Sequence, residues 1–222
     1  FYDKVIEQFE NKDSDRIFIF GVTVQNHSGY EYKGADFVSD VHITNYDGDY
    51  PRAEQYLSLV KKSDEALEEL ISYFEKVDEK TMIVFFGDHQ PNVEIGFINK
   101  IAPYRNMIVN SFLTRYETPF VIWTNYEIES KNDLGIVSPN FLGLKTLEYA
   151  GVPLSRECKM LKDVEEIAPA MNTWGYFDRA ITWNERRNEE PYRQDVLNVY
   201  NYYTYFNLHS KLGEDGRYAR GG

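Results

Sequence analysis

The sequence contains a single cysteine, Cys158, among 222 residues. One cysteine excludes an internal disulfide, so an apolar core has to stabilise the fold. The composition allows this, because 42% of the residues are hydrophobic and 16% are aromatic. The scarcity of cysteine leaves the cellular compartment open, since many bacterial surface proteins also lack disulfides.

Basic residues are also scarce. Lysine and arginine number 24 against 36 aspartates and glutamates, which gives a net charge of −12. A nucleic-acid-binding surface requires a basic face, so we expect no nucleic-acid partner. An anionic substrate stays open, because a bound cation inverts the local potential.

Long apolar runs are absent as well. None reaches the roughly 18 residues that span a bilayer, and no signal peptide is present. The chain begins with Phe1 rather than methionine, and we expect it to be part of a longer protein. The absence of a membrane segment therefore says little about the parent protein.

The most informative stretch that is present is TMIVFFGDHQP. Met82–Phe86 predicts a short strand buried on both faces, which Gly87 interrupts before Asp88 and His89. Active sites of open α/β sheets lie at the carboxyl ends of strands. A carboxylate and a neutral imidazole also form a common pair of ligands for a divalent metal. The alternative is a capping aspartate and a surface histidine in an ordinary turn.

A second apolar run has the same arrangement. Ile17–Val24 predicts another strand buried on both faces, and the polar loop after it contains His27. Pro51–Val77 has helical spacing with proline in its first turn, and it leads into the strand Thr81–Phe86. A strand, a helix and a strand predict a parallel βαβ unit. His27 should then lie at the same sheet edge as Asp88 and His89.

The remainder of the chain predicts a third strand and further helices. We expect the chain to divide into residues 1–171 and an aromatic-rich helical extension, residues 172–222, packed on the same domain. The predicted elements are a strand at Thr118–Thr124, a helix at Ser138–Ala150 with Ser138 as its N-cap, a short helix at Val164–Met171 and a C-terminal helix at Pro191–Leu208.

Four segments together resemble one known family. TVQNHSGY, FFGDHQP, TPFVIWT and SPNFLGLKTLEYAGVPL follow one another in this order between Arg16 and Leu154. This order is similar to the sulfatase-like branch of the alkaline phosphatase superfamily, and in particular to lipoteichoic acid synthases and related bacterial phosphoglycerol transferases. The resemblance implies an α/β fold, a mostly parallel sheet flanked by helices, alkaline-phosphatase-like and incomplete at its N-terminal side.

The resemblance also implies roles for individual residues. Asp88 and His89 correspond to ligands of the catalytic divalent metal, manganese or zinc. His27 corresponds to a histidine that contacts the phosphate or the sugar-alcohol part of the substrate. Family members attack phosphorus with a metal-activated threonine on an N-terminal helix, which follows a further acidic metal ligand.

The sequence departs from the family at this nucleophile. Of its threonines, we considered four, and none lies in the family's nucleophile context: Thr23, Thr44, Thr81 and Thr114. We therefore assign no catalytic residue and expect the nucleophile upstream of this chain. A sulfatase proper would need a cysteine or serine that becomes formylglycine, and Cys158 is far from such a context. Two metal ligands are fewer than the usual four, so we predict weak metal binding and no turnover by this chain alone.

The expected parent is a membrane-anchored transferase or hydrolase at the extracellular face of the bacterial cell membrane. Its substrate would be a lipid or glycan that carries phosphoglycerol or sulfate, such as a precursor of a cell-envelope polymer. An incomplete sheet leaves an exposed edge, so self-association or marginal stability is expected. The alternative is a non-catalytic module that binds a polyanionic glycan or teichoic acid.

Overall fold

A computed structural model of the chain describes residues 1–34, 36–102, 116–129, 133–172, 175–185 and 191–214. Side chains of the last helix are described for residues 193–206. By packing, the chain forms two compact units, Phe1–Tyr126 and Glu127–Gly222. This division concerns packing alone, and the expected domain boundary after residue 171 stays a prediction. Among the described residues, no helix combines the length and the apolar character needed to cross a membrane.

The described part of the first unit contains three helices and a two-stranded sheet. Its elements are α1 (Tyr2–Glu10), α2 (Pro51–Phe74), β1 (Met82–Phe86), α3 (Ile95–Ile101) and β2 (Phe120–Thr124). The helix that begins at Pro51 and the two strands confirm the prediction from apolar spacing. Proline at the first position costs no hydrogen bond there and presets the helical φ angle.

The core of the first unit lies against one side of α2. It consists of Tyr30, Tyr50, Ala53, Val93 and Phe97. At the other end of the helix, the ring of Phe9 from α1 packs edge-to-face on Phe74, with centroids 5.1 Å apart. Asp64 of α2 is exposed and needs no buried partner.

Strand β1 pairs with β2, whereas we expected a parallel βαβ unit of Ile17–Val24 and β1. β1 pairs with β2 antiparallel, in a register that places Met82 opposite Thr124 and Phe86 opposite Phe120. The β1 side chains are half-buried, and Phe86 is exposed, so the predicted burial on both faces is wrong. Both described sheets are antiparallel, whereas we expected parallel neighbours.

The expectation for Ile17–Val24 is also wrong. This run belongs to neither of the described sheets, and all of its side chains are exposed. Its direction nevertheless agrees with the prediction. Lys12, before the run, bonds to Glu79 before β1 at 2.7 Å, and His27 after the run contacts His89 after β1. The run therefore follows the same direction as β1 without a hydrogen-bonded ladder, which a strand requires.

The second unit has its own core and a small sheet. Its elements are a 3₁₀ turn (Pro139–Phe141), α4 (Leu142–Tyr149), α5 (Arg156–Ile167), β3 (Ala170–Met171), β4 (Gly175–Phe177), β5 (Trp183–Glu185) and α6 (Pro191–Glu214). The C-terminal helix packs through Leu197 with Val196 and Tyr200 beside it, whereas Val199 and Phe206 are exposed. The core residues are Phe141, Val164, Ala168, Tyr176 and Leu197.

Two local predictions in this unit are wrong. Ser138 makes no side-chain cap; its hydroxyl accepts from the Met171 backbone N–H at 2.7 Å and so joins β3 to the segment before the 3₁₀ turn. The short helix expected at Val164–Met171 is the end of the longer helix Arg156–Ile167 followed by a strand. Ser155 caps that helix, because its hydroxyl accepts from the backbone N–H of Cys158.

Candidate functional site

The three predicted site residues come together at one end of β1. The rings of His27 and His89 contact each other edge-to-face, with centroids 6.1 Å apart and planes at 86°. Asp88 directly precedes His89 in the chain. The two loops meet because both follow extended segments that run in the same direction. The structure therefore brings together the residues that the sequence placed at one sheet edge, while their chemical roles stay predictions.

Asp88 and His89 form a local, solvent-facing pair. The side chains are 78% and 56% exposed, and the carboxylate lies 3.6 Å from His89 Nε2. The other carboxylate oxygen accepts from the His89 backbone N–H at 2.9 Å. His89 Nδ1 lies 3.0 Å from the carbonyl oxygen of Gln90, which fixes the ring's orientation. Solvent and ions can thus reach both side chains.

Strand β2 holds the loop that carries this pair. The backbone N–H of Gly87 donates to Pro119 O at 3.1 Å, and the Thr118 hydroxyl donates to Gly87 O at 2.8 Å. The Gln90 side chain donates to the carbonyl of Glu117. Gly87 also approaches Thr118 so closely that an added Cβ would lie 3.2 Å from the threonine Cβ. The sharp turn that exposes Asp88 and His89 is therefore built on the entry to β2.

The loop that carries His27 is attached to helix α2. Asn26 Nδ2 donates to the Ser63 hydroxyl at 3.0 Å, and that hydroxyl lies 3.2 Å from Asn26 Oδ1. The hydroxyl of Tyr30 donates to the carbonyl oxygen of Asn26 at 2.7 Å. A short turn, in which the His27 N–H donates to Val24 O, completes the loop. His27 itself is exposed and projects from this anchored turn.

Tyr30, in the loop that carries His27, is close enough to Asp88 for that charge to affect its hydroxyl. Its side chain is buried with only 4% exposure and packs on Tyr56, with ring centroids 5.4 Å apart. Burial raises the pKa of the Tyr30 hydroxyl, and the nearby Tyr56 and Asp88 raise it further. The hydroxyl therefore stays protonated and keeps donating its hydrogen bond throughout the neutral range.

The irregular segment 31–50 is bound along the side of α2 by polar side chains. Gln55 bonds both the N–H and the carbonyl of Tyr32, at 3.1 and 2.8 Å. The buried Ser58 hydroxyl accepts from the N–H groups of Asp40 and Val41. The His42 side chain lies 3.3 Å from Glu54 and is 67% exposed. The described part of this segment is thus attached to α2 at several points.

The donor atoms present suit a divalent cation only in part. A carboxylate and an imidazole are normal ligands for zinc or manganese, and a second imidazole lies beside them. However, the His, Cys, Asp and Glu side chains of the described residues form no group of three or more with the geometry to hold a metal. Asp88 and His89 would therefore supply part of a coordination shell rather than all of it.

Sequence reasoning missed the residues that hold these loops. Tyr30 belongs to the motif that contains His27, so its position four residues after Asn26 gave a usable signal. Ser63 and Thr118 gave none, because each acts through one hydrogen bond across a long separation in sequence. Periodicity detects buried faces of helices and strands, and it does not detect single polar contacts of this kind.

The described helices and strands form a mixed α/β protein, with an exposed Asp–His pair at the end of β1 and the helix-anchored His27 beside it. A family model for the sulfatases matches residues 1–152 of the 222. The chain belongs to the sulfatase family. This membership confirms the predicted α/β, alkaline-phosphatase-like fold class.

One curated relative and one solved structure extend the comparison. A Rhizobium meliloti (strain 1021) protein, named for the modification of cyclic beta-1,2-glucan, is 32% identical over 158 residues, which are 67% of this chain and 24% of the relative. The phosphoglycerol transferase GacH of Streptococcus pyogenes, solved with sn-glycerol-1-phosphate, matches with a TM-score of 0.48 and 20% identity. The match covers 66% of this chain and 32% of GacH, and it is too weak to support a conclusion about function. This chain thus spans about a quarter of the curated relative's length.

Proposed function

We propose that the chain is part of a metal-dependent phosphoglycerol transferase or sulfatase-type hydrolase that acts on a membrane or cell-wall polymer precursor. The observation that supports this most is the contact between His27 and His89 beside Asp88, in a chain of the sulfatase family. In the proposal, the parent protein is anchored at the extracellular face of the bacterial cell membrane. The substrate is a lipid or glycan that carries phosphoglycerol or sulfate.

Each site residue has one role in this proposal. Asp88 and His89 bind a divalent metal, manganese or zinc, through a carboxylate oxygen and a ring nitrogen. His27, one ring contact away, binds the phosphate or the sugar-alcohol part of the substrate. A divalent metal supplies charge neutralisation at the oxygens of the transferred group and lowers the pKa of an attacking hydroxyl.

The chain by itself is proposed to be inactive. Two protein ligands leave a metal loosely bound, since stable sites use about four. Thr118, whose hydroxyl lies at the site, donates to Gly87 O and thereby stabilises the loop. We therefore propose that the nucleophile and the remaining ligands come from polypeptide outside these 222 residues.

Metal titration tests this proposal on the purified chain. Mn²⁺ should bind weakly, and the bound ion should broaden the His27 and His89 ring signals in NMR spectra. Asp88→Asn and His89→Gln should each weaken the effect at least about tenfold, as expected for the loss of a ligand. The matched control is His42→Gln, an exposed histidine bonded to Glu54, which should change nothing. Hydrolysis of a phosphodiester by the wild-type chain, lost in Asp88→Asn, would contradict the proposed inactivity.

A second candidate is a non-catalytic module that binds a polyanionic glycan or teichoic acid. It is favoured by the lack of a metal-holding group of three or more ligands among the described residues. The same titration separates the two candidates. Glycan binding that is independent of Mn²⁺ and survives Asp88→Asn supports the binding module, while binding that requires both supports the enzyme.

A further inference from the structure

One hydroxyl on helix α2 contacts the loop that carries His27. Ser63 bonds the amide of Asn26, the residue directly before His27, through both amide atoms at 3.0 and 3.2 Å. It lies on α2, the helix whose C-terminal end leads through a short turn into β1. The loop that carries His89 follows β1. Helix α2 thus holds the His27 loop directly and leads in sequence to the strand that precedes the His89 loop.

The Asn26 residue is held on a second side as well. Tyr30, buried in the core beside α2, donates its hydroxyl to Asn26 O at 2.7 Å. Asn26 is therefore bonded through its side chain to Ser63 and through its backbone to Tyr30. His27 is exposed, and the contacts that restrain its loop are those of its neighbour.

We propose that Ser63 is a positioning residue that keeps His27 in contact with His89 by holding Asn26. This inference rests on the proposed function, in which the two histidines serve one substrate. Without the Ser63 hydroxyl the Asn26 amide loses its anchor on α2, and the loop can turn His27 away from the β1 end. One hydrogen bond shifts such an equilibrium by about two- to tenfold.

The contact between the two rings provides the measurement. In the full 222-residue chain without metal, nuclear Overhauser effects between the His27 and His89 ring protons report the edge contact directly. Ser63→Ala should reduce their intensity by up to about tenfold, the upper limit set by the loss of one hydrogen bond. Tyr30→Phe, which keeps the ring and removes the hydroxyl, should act in the same direction. Ser63→Thr retains a hydroxyl and should restore the wild-type intensity.

The matched control is Ser72→Ala. Ser72 lies on the same helix, is half-buried like Ser63, and stands nine residues further on, about 13 Å along the axis. It should leave the ring contact unchanged. Undiminished ring contacts in both Ser63→Ala and Tyr30→Phe would overturn the proposal, as would an equal loss in Ser72→Ala.

The same variants separate this inference from the proposed function. The ring contact is measured without metal or substrate, so its dependence on Ser63 can be established even if Mn²⁺ does not bind. Conversely, Mn²⁺ binding lost in Asp88→Asn supports the metal site whether or not Ser63 holds His27. If the metal site and the role of Ser63 are both correct, Mn²⁺ should broaden the His89 ring signals of the Ser63→Ala variant as in the wild type. It should broaden the His27 ring signals of that variant less than in the wild type.

Discussion

The two apolar runs of the first unit are similar in sequence and different in structure. Ile17–Val24 and Met82–Phe86 each consist of large apolar residues followed by a polar loop that carries a histidine. Met82–Phe86 pairs with β2 and is half-buried. Ile17–Val24 lies outside both described sheets, and Phe18 is 86% exposed. An apolar run thus predicts an extended segment, and this segment becomes a strand only where a neighbouring segment supplies backbone hydrogen bonds.

The largest effect should come from Asn125, which fixes the paired run. Its side-chain Nδ2 lies within hydrogen-bond distance of the carbonyl oxygens of Phe74, Val77 and Glu79, between α2 and β1. Its side-chain oxygen accepts from the Thr81 N–H at 2.8 Å. Asn125→Ala should therefore cost about 2–3 kcal/mol of unfolding free energy, measured by urea titration. The exposed Asn45→Ala is the control and should cost less than about 0.5 kcal/mol. An equal loss in both variants would contradict this assignment.

The exposed run should affect association rather than stability. Phe18, Phe20, Val22 and Val24 alternate along it and are 66–86% exposed, so they form one apolar stripe. We predict that the chain self-associates through this stripe. Phe18→Ser combined with Phe20→Ser should lower the association constant by at least about tenfold, since each buried phenylalanine contributes 1.5–3 kcal/mol. Light scattering across a dilution series measures this, and an unchanged mass distribution would exclude the stripe as the contact.

The helix between the runs depends on a carboxylate at its start. Burial would raise the pKa of Glu94, but hydrogen bonds from the Arg52 and Ala53 N–H groups and from the Arg52 side chain lower it overall. The stabilisation is therefore present above the unfolded pKa of about 4.3, and it is lost as the pH falls through the lower folded value.

Glu94→Gln removes this charge from the helix start. It should cost about 1 kcal/mol at pH 7, the usual loss for a cap, and much less at an acid pH below the lowered folded pKa, where the wild-type carboxylate is itself protonated. Thermal unfolding midpoints at the two pH values measure the difference. The control is Glu68→Gln, which changes an exposed glutamate in the interior of α2. A Glu94→Gln loss of the same size at both pH values would show that charge plays no part.

How much the sequence could predict differs between the two runs. Apolar spacing located α2, β1 and β2, and the strand-end rule placed His27 beside His89. The pairing of β1 could not be predicted, because alternation and apolarity do not specify which neighbour supplies the hydrogen bonds. The ordering of segment 31–50 could not be predicted either, since Gln55 and Ser58 hold it through backbone contacts that leave no periodic trace.

A matched pair of truncations compares the interiors of the two runs. Val84→Ala in β1 should cost a little under about 1 kcal/mol, because two methyl groups of a half-buried side chain lose their contacts. Val22→Ala in the exposed run should change the unfolding free energy by less than about 0.5 kcal/mol. Equal costs in urea titrations would mean that Ile17–Val24 is buried in solution, for example in an oligomer.

The smallest effects should come from the glycine associated with each run. An added Cβ at Gly87 would lie 3.2 Å from Thr118 Cβ, and that threonine is fixed by β2 and by its bond to Gly87 O. At Gly21 the nearest atom is closer, 2.5 Å away, but it is the far end of the Phe1 ring, which can rotate aside. Gly87→Ala should therefore cost roughly 0.5–1 kcal/mol, at the low end for overpacking, and Gly21→Ala less than that. Urea titration of both variants checks the order, and a larger loss for Gly21→Ala would show that the terminal phenylalanine is as firmly held as the entry to β2.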